Sequence, residues 1–512
     1  MTRRDPSPPS PWSLSSVGLY LALVAAALLR FWPLGAHLPF SPGVDEPEVM
    51  ERAVRMMKTG ELNPHFFDYP SLYIYVEGAA STVRFLVGAT QGLWNGLGQA
   101  PTEAFYLWGR AVTAMFGTAS VWVAHRAGLY WGRLTALIAA VMLAVMPLHV
   151  RESHYTLTDV PATFFVVVTL LLSLRAHERS TLWSFALAGA AAGLAGATKY
   201  NAGLAVIMPL IACAMTPAAR PSRGLAATWV VAGAMIAFLI GAPYTLLDLP
   251  NFLNGFARLA SEYRAPANTI NPGWYVYLKL LRTSLHWPAS LIVLAGLVLG
   301  CVRTALGPDR LKWMLLVAFS VLYFFFVSHQ NIYFGRYLLP MVPSLALLGA
   351  AAIVWMIDAM RRRGVPAAAR QAVTALVTLL AIVPPAYTSI SGNIEEGRVW
   401  TTEQAYRWIV ANVPKGSTIY IEGSVTFQLP TDYPSTHVVL LRRKGDAASF
   451  KRDGVEYVVA SSQQYGQYAD SAHQSSTEYL YYQRLFEDTK ELARFTPSAE
   501  HPGPELRVLR IE

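Results

Sequence analysis

The chain has 512 residues, 54% of them hydrophobic and 14% charged, with a mean hydropathy of +0.33. That balance excludes an ordinary soluble enzyme. The net charge of +9 does not mark a nucleic-acid binder, because the Arg and Lys cluster in short stretches between apolar runs.

Apolar runs of membrane-spanning length recur from residue 14 to residue 388 and then stop. The first run, Leu14 to Phe31, follows Arg3 and Arg4, which hold its start in the cytoplasm; it reads as an uncleaved first helix. The first outer loop then carries Gly43-Val44-Asp45-Glu46-Pro47-Glu48, with Asp68-Tyr69-Pro70 further on. Residues 72–92 are apolar but contain Glu77 and Arg84. A charge at mid-bilayer costs roughly 2.5–3.5 kcal/mol, so this stretch reads as interfacial or re-entrant. The next spans are Phe105 to Val123 and Leu134 to Val150, joined by a basic inner turn. A second outer loop, Arg151 to Asp159, precedes a span from Val160 to Leu174.

The Gly/Ala-rich run Trp183 to Met215 is too long for one span and breaks at Thr198-Lys199-Tyr200-Asn201, which places Lys199 outside. Another span, Leu225 to Pro243, leads to a long outer loop containing Asp248, Glu262, Tyr263 and Arg264. Two more, Leu285 to Val302 and Trp313 to Val327, lead to the outer turn Ser328 to Tyr337, which holds His329, Arg336 and Tyr337. A tenth span ends at Arg361-Arg362-Arg363, a strong inside signal, and the eleventh is Ala372 to Ala386. Cys213 and Cys301 both fall in spans, so no disulfide is expected.

The polar tail reads as a small α/β domain. Helices are expected at Thr401 to Val413 and Tyr479 to Ala493, and strands at Thr418 to Glu422, His437 to Leu441, Val455 to Ala460 and Glu505 to Ile511. The fold expected is mainly α: a polytopic membrane protein of about eleven transmembrane helices (1–390) with a small extracytoplasmic α/β domain (391–512). It belongs in the plasma (inner) membrane, with the N-terminus cytoplasmic.

This topology brings Asp45, Glu46, Asp68, Asp159, Lys199, His329 and Arg336 to one membrane face. Acids and cations together beside apolar walls suit a reaction between a lipid-borne anion and a polar acceptor. The cations hold the phosphate and a carboxylate takes the acceptor's proton. Each residue also has a structural reading. Asp45 could cap the helix near Pro47 and Asp159 the span after it, Lys199 and Arg336 could anchor at the interface, and Glu46 could only support Asp45. A transporter or flippase for a lipid-linked sugar is the rival class, although such proteins carry charge near the midplane and often repeat.

The order of features resembles the GT-C membrane glycosyltransferases, in particular the protein O-mannosyltransferase-like group that includes the aminoarabinose transferases. The resemblance rests on Asp45-Glu46, on Tyr69-Pro70-Ser71-Leu72-Tyr73, and on Pro147-Leu148-His149-Val150 with Asp159. It rests also on Thr198-Lys199-Tyr200, Arg336-Tyr337-Leu338-Leu339-Pro340 and the polar C-terminal region. It implies an inverting transfer of a sugar from a polyprenyl-phosphate carrier to a hydroxyl on a lipid, glycan or protein acceptor. Asp45 is then the general base, Glu46 and Asp159 are further catalytic residues, and Asp68, Tyr69, Lys199, Tyr200, His329, Arg336 and Tyr337 bind substrate. Where the aminoarabinose transferases have Glu-Lys-Pro-Pro, this chain has Asp68-Tyr69-Pro70-Ser71, which counts against lipid A as acceptor. The acids Asp45, Glu46 and Asp159 could hold a divalent cation, but the resemblance implies no cofactor.

Overall fold

The computed structural model describes residues 16–40, 43, 45–217, 222–264, 271–423, 427, 429–430, 432–438, 440–468 and 476–512, and the backbone of 14 and 15. Arg3 and Arg4 of the charge reading lie outside the described residues. The chain divides into two compact units, one of residues 1–34 and 48–393, the other of residues 35–47 and 394–512.

The first unit is helical. It begins with α1 (Leu14–Phe31), α2 (Glu46–Thr59, entering from the second unit), α3 (Leu72–Thr90) and α4 (Tyr106–Gly128). Next come α5 (Arg133–Ala144), α6 (Pro147–Glu152), α7 (Asp159–Arg179), α8 (Leu182–Thr198) and α9 (Ile207–Met215). After α10 (Arg223–Gly241) lie the single turn α11 (Tyr244–Leu247), α12 (Leu249–Arg264), α13 (Gly273–Leu306) and α14 (Arg310–Ser328). The unit closes with α15 (Val342–Arg362) and α16 (Ala367–Glu396), whose last residues belong to the second unit. Among the described residues, six helical stretches are long and apolar enough to cross a membrane, and four shorter helices are apolar.

Pro147 sets a boundary that hydropathy does not show. It stands at the first position of α6 and ends the expected span 134–150 at Ala144. The expected break at Lys199 is present: its backbone is extended (φ −152°, ψ 124°) between α8 and a 3₁₀ segment, Tyr200–Val206. Glu77 is fully buried in α3. α8 and α10 pack backbone to backbone. A Cβ placed on Gly189 meets the Val230 carbonyl at 2.0 Å, one on Gly193 the Ala234 carbonyl at 2.1 Å, and one on Gly233 the Ala186 carbonyl at 2.2 Å. Small residues at four-residue spacing allow this approach, which dispersion then rewards where no aqueous hydrophobic effect operates.

In the second unit α17 (Thr401–Asn412) precedes a five-stranded sheet ordered β2-β1-β3-β5-β4. Its strands are β1 (Ile419–Glu422), β2 (Ser435–Val438), β3 (Tyr457–Ser461), β4 (Thr489–Phe495) and β5 (Leu506–Ile511). β2, β1 and β3 are parallel, and β5 pairs antiparallel with both β3 and β4. The crossovers run through α18 (Ala447–Arg452), α19 (Ser462–Tyr465) and α20 (Thr477–Glu487). Alternation along the strands builds two cores. Ile419, Ile421, Val459 and Val508 join Ile409 on one face, and Val458 and Leu509 join Phe450 and Tyr482 on the other. The expected helix 479–493 is corrected here: α20 ends at Glu487, and residues 489–495 form the edge strand β4. Pairing with β5, bulged between Glu491 and Ala493, overrides the helical propensity of that stretch.

Candidate active site

Asp159, the acid that ends the second outer loop of the sequence reading, lies in the helical unit at the first position of α7, with its carboxylate buried. Such a group needs partners, and it has two cations. Lys199 Nζ donates to Asp159 Oδ1 at 2.5 Å, and Arg336 Nε lies 3.8 Å from Asp159 Oδ2. Lys199 reaches there because the chain turns extended at the end of α8, which frees its side chain from the helix surface. Arg336 comes from the 3₁₀ segment Gly335–Met341, which runs directly into α15.

Aromatic rings frame the cations. Lys199 Nζ sits 4.5 Å from the Tyr337 ring centroid, and Arg336 stacks over Phe334 at 4.6 Å. Tyr337 and Tyr263 are hydrogen-bonded hydroxyl to hydroxyl at 2.5 Å with their rings stacked, and Tyr323 donates to the Tyr337 carbonyl at 3.0 Å. Beside them opens a cavity of about 310 Å³, walled by Lys199, Tyr200, Tyr263, Arg264, Tyr337 and the Asp68-Tyr69 pair, among others. Tyr200 is fixed by donating to the Phe67 carbonyl at 3.1 Å. Arg258 of α12 ties Asp68 at 2.5 Å, joining the 66–70 segment to α12 at the rim.

The structure therefore brings together Asp68, Tyr69, Asp159, Lys199, Tyr200, Arg336 and Tyr337. His329 is elsewhere. It caps α14 with its Nδ1 bonded to the Phe325 carbonyl at 2.7 Å, and it lines a separate apolar cavity with Phe324 and Phe325. Asp45 and Glu46 belong to the second unit. Asp45 stands half-buried immediately before α2, and the buried Glu46 accepts from the Gly43 backbone N–H at 2.6 Å, locking the turn that opens the helix. Sequence reasoning passed over Tyr263, Arg264, Asn201 and Gln330, all of which line the cavity. Tyr263 and Arg264 were visible as a Tyr-Arg pair at the end of an aromatic outer loop, a signal that composition alone does not separate from an interface anchor.

Among known proteins, residues 80–255 match the family model of dolichyl-phosphate-mannose-protein mannosyltransferases. No curated protein matches the chain by sequence. Solved structures match over most of this chain. The Archaeoglobus fulgidus oligosaccharyltransferase in its apo form has a TM-score of 0.59 at 13% identity, covering 90% of this chain and 71% of that one. ArnT from Cupriavidus metallidurans bound to undecaprenyl phosphate has a TM-score of 0.56 at 16% identity, covering 97% of both chains. The mycobacterial arabinofuranosyltransferase AftD has a TM-score of 0.51 at 14% identity, covering all of this chain and 40% of that one. With its apolar helices, its partial match to the mannosyltransferase model and this shared architecture, the chain is a polytopic membrane protein with the GT-C glycosyltransferase fold.

Proposed function

We propose that the protein transfers a sugar from a polyprenyl-phosphate carrier to a hydroxyl acceptor at the outer membrane face, with inversion at the sugar carbon. The observation that carries this reading is the convergence of Lys199 and Arg336 on buried Asp159 beside an aromatic-walled cavity. Two cations from distant parts of the chain, held by one carboxylate, form a socket for an anion. A phosphate oxygen arriving in the cavity shares them with Asp159. The tyrosine walls suit a sugar ring, and the apolar surroundings suit the carrier's chain. The mannosyltransferase family match and the ArnT complex with undecaprenyl phosphate support a lipid-phosphate donor of this class.

In this mechanism Asp159 positions the cations and Asp45 draws the proton from the acceptor hydroxyl as it attacks. The bond from the sugar carbon to the carrier phosphate breaks as the new glycosidic bond forms. The freed carrier phosphate keeps its negative charge against Lys199 and Arg336. A general base contributes roughly 10²–10⁴-fold, so Asp45→Asn is expected to bind donor normally and to lose at least about 100-fold in turnover. Glycosyl transfer from a synthetic polyprenyl-phosphate sugar by the purified variant checks this. Near-normal turnover leaves Asp45 as the residue that opens α2 and no more.

A further inference from the structure

A second polar cavity lies far from the Asp159 site. It is walled by Trp131, Thr135, Arg303, Asp309, Lys312 and Asp358, with Trp313 and Trp355 beside them. α14 places it: Lys312 and Trp313 are in its first turn, whereas Phe326 and Val327, near its last turn, wall the Asp159 cavity. At about 1.5 Å per residue the two cavities stand on the order of 20 Å apart along that helix, at opposite ends of the bundle.

The charges here are balanced, two cations against two acids, and they are unequally committed. Lys312 Nζ is held by Asp309 Oδ2 at 2.9 Å and by the Tyr130 carbonyl at 3.1 Å. Arg303 and Asp358 have no ion-pair partner among the described residues. Trp131 gives its ring to the cavity wall. That ring is fixed, packed edge-on against Trp313 at 5.9 Å between centroids. The volume, about 230 Å³, is that of about eight waters at roughly 30 Å³ each, the size of a small polar headgroup. Tryptophans together with a helix-end arginine are the furniture of a membrane interface.

We propose that this cavity holds the headgroup of a phospholipid carrying both a phosphate and a primary amine, the phosphoethanolamine type. The phosphate accepts from Arg303, and the ammonium pairs with Asp358. A zwitterion matches the balanced lining; a purely anionic headgroup leaves Asp358 facing like charge.

The test uses the full-length protein, delipidated in detergent, with bound lipid counted by native mass spectrometry and the melting temperature followed in parallel. Phosphatidylethanolamine is expected to bind at least tenfold tighter than phosphatidylglycerol and to raise the melting temperature. Arg303→Gln and Asp358→Asn are each expected to weaken it about tenfold. Arg361→Gln, outside the cavity, is expected to leave it unchanged. Asp358→Asn is further expected to abolish the preference over phosphatidylglycerol. Equal binding of the two lipids by the unaltered protein overturns the proposal even if a variant fails to fold. Phosphate or glycerophosphoethanolamine binding as tightly as the lipid overturns the lipid assignment, and unchanged affinity in both cavity variants overturns the residue assignment.

Discussion

Asp159, Lys199 and Arg336 form a unit in which no member is replaceable alone. A buried pair is costly to break because removal of one partner strands the other's charge, typically by about 3–5 kcal/mol. Lys199 borders the cavity, so water relieves part of that cost and the low end applies. Asp159→Asn is therefore expected to destabilise the helical unit by about 3 kcal/mol, read as a lower denaturation midpoint. It is also expected to weaken donor binding through misplaced cations. Lys199→Ala removes one charge-assisted contact with the carrier phosphate, worth about 1.5–3 kcal/mol, and so about tenfold or more in donor affinity by equilibrium binding. A Lys199→Ala variant that binds the donor as before removes the lysine from the phosphate socket.

At the scale of elements, the α8–α10 pair packs backbone to backbone. Gly189 and Gly193 on one helix and Gly233 on the other each face a partner carbonyl at a distance that leaves no room for a side chain. Lys199 caps the C-terminus of α8, so the helix that needs close packing also aims the lysine proposed to hold the phosphate. Gly193→Leu is expected to force the helices apart and move Lys199 off Asp159. The expected outcome is a less stable protein with donor binding reduced by as much as Lys199→Ala reduces it. Gly224→Leu, on α10 with open space around it, is the control expected to leave both unchanged. Thermal denaturation with donor titration on the same samples checks the pair.

For the whole molecule, the proposed topology places residues 394–512 outside the cytoplasm. A reporter fused after residue 395 is expected to be active only in its extracytoplasmic form; cytoplasmic activity there removes the outer-face mechanism. The second unit also has its own pH response. Glu422 is fully buried at the end of β1, where it accepts from the Ser461 N–H at 2.9 Å, the Leu441 N–H at 3.4 Å and the Tyr482 hydroxyl. Burial raises its pKa above the usual carboxylate range, against the pull of those three donors. The folded state thus binds the proton more tightly than the unfolded state. The stabilisation is complete below the ordinary glutamate value near 4.5 and is lost as pH rises through the raised folded value. Hydrogen exchange at the β1 and β3 amides of the full-length protein, corrected for intrinsic rates, is expected to show weaker protection at pH 7 than at pH 5. Glu422→Gln, which cannot ionise, is expected to flatten that difference.

Much of the architecture was legible from local chemistry. Hydropathy and the placement of Arg and Lys mark a membrane chain, the break at Lys199 follows from a run too long for one span, and the polar tail separates itself by composition. The parallel strands β1 and β3 were visible because their apolar runs have strand length. Those signals are contiguous: each is written in one unbroken stretch of chain, and the membrane or the sheet reads it there. What local sequence does not carry is azimuth and partnership. His329 and Gln330 are neighbours in one outer turn, yet successive positions on a helical path point about 100° apart, and only Gln330 lines the Asp159 cavity. Residues 489–495 have helical propensity and become β4 because β5, formed later in the chain, offers a ladder. Residues 35–47, with Asp45, cluster with a domain that begins some 350 residues further on, which no window of sequence contains. The meeting of Asp159, Lys199 and Arg336 was decided by packing alone. The sequence by itself determined which groups a buried carboxylate would need, since an unpaired charge is too costly to bury; the tertiary structure decided which two it has.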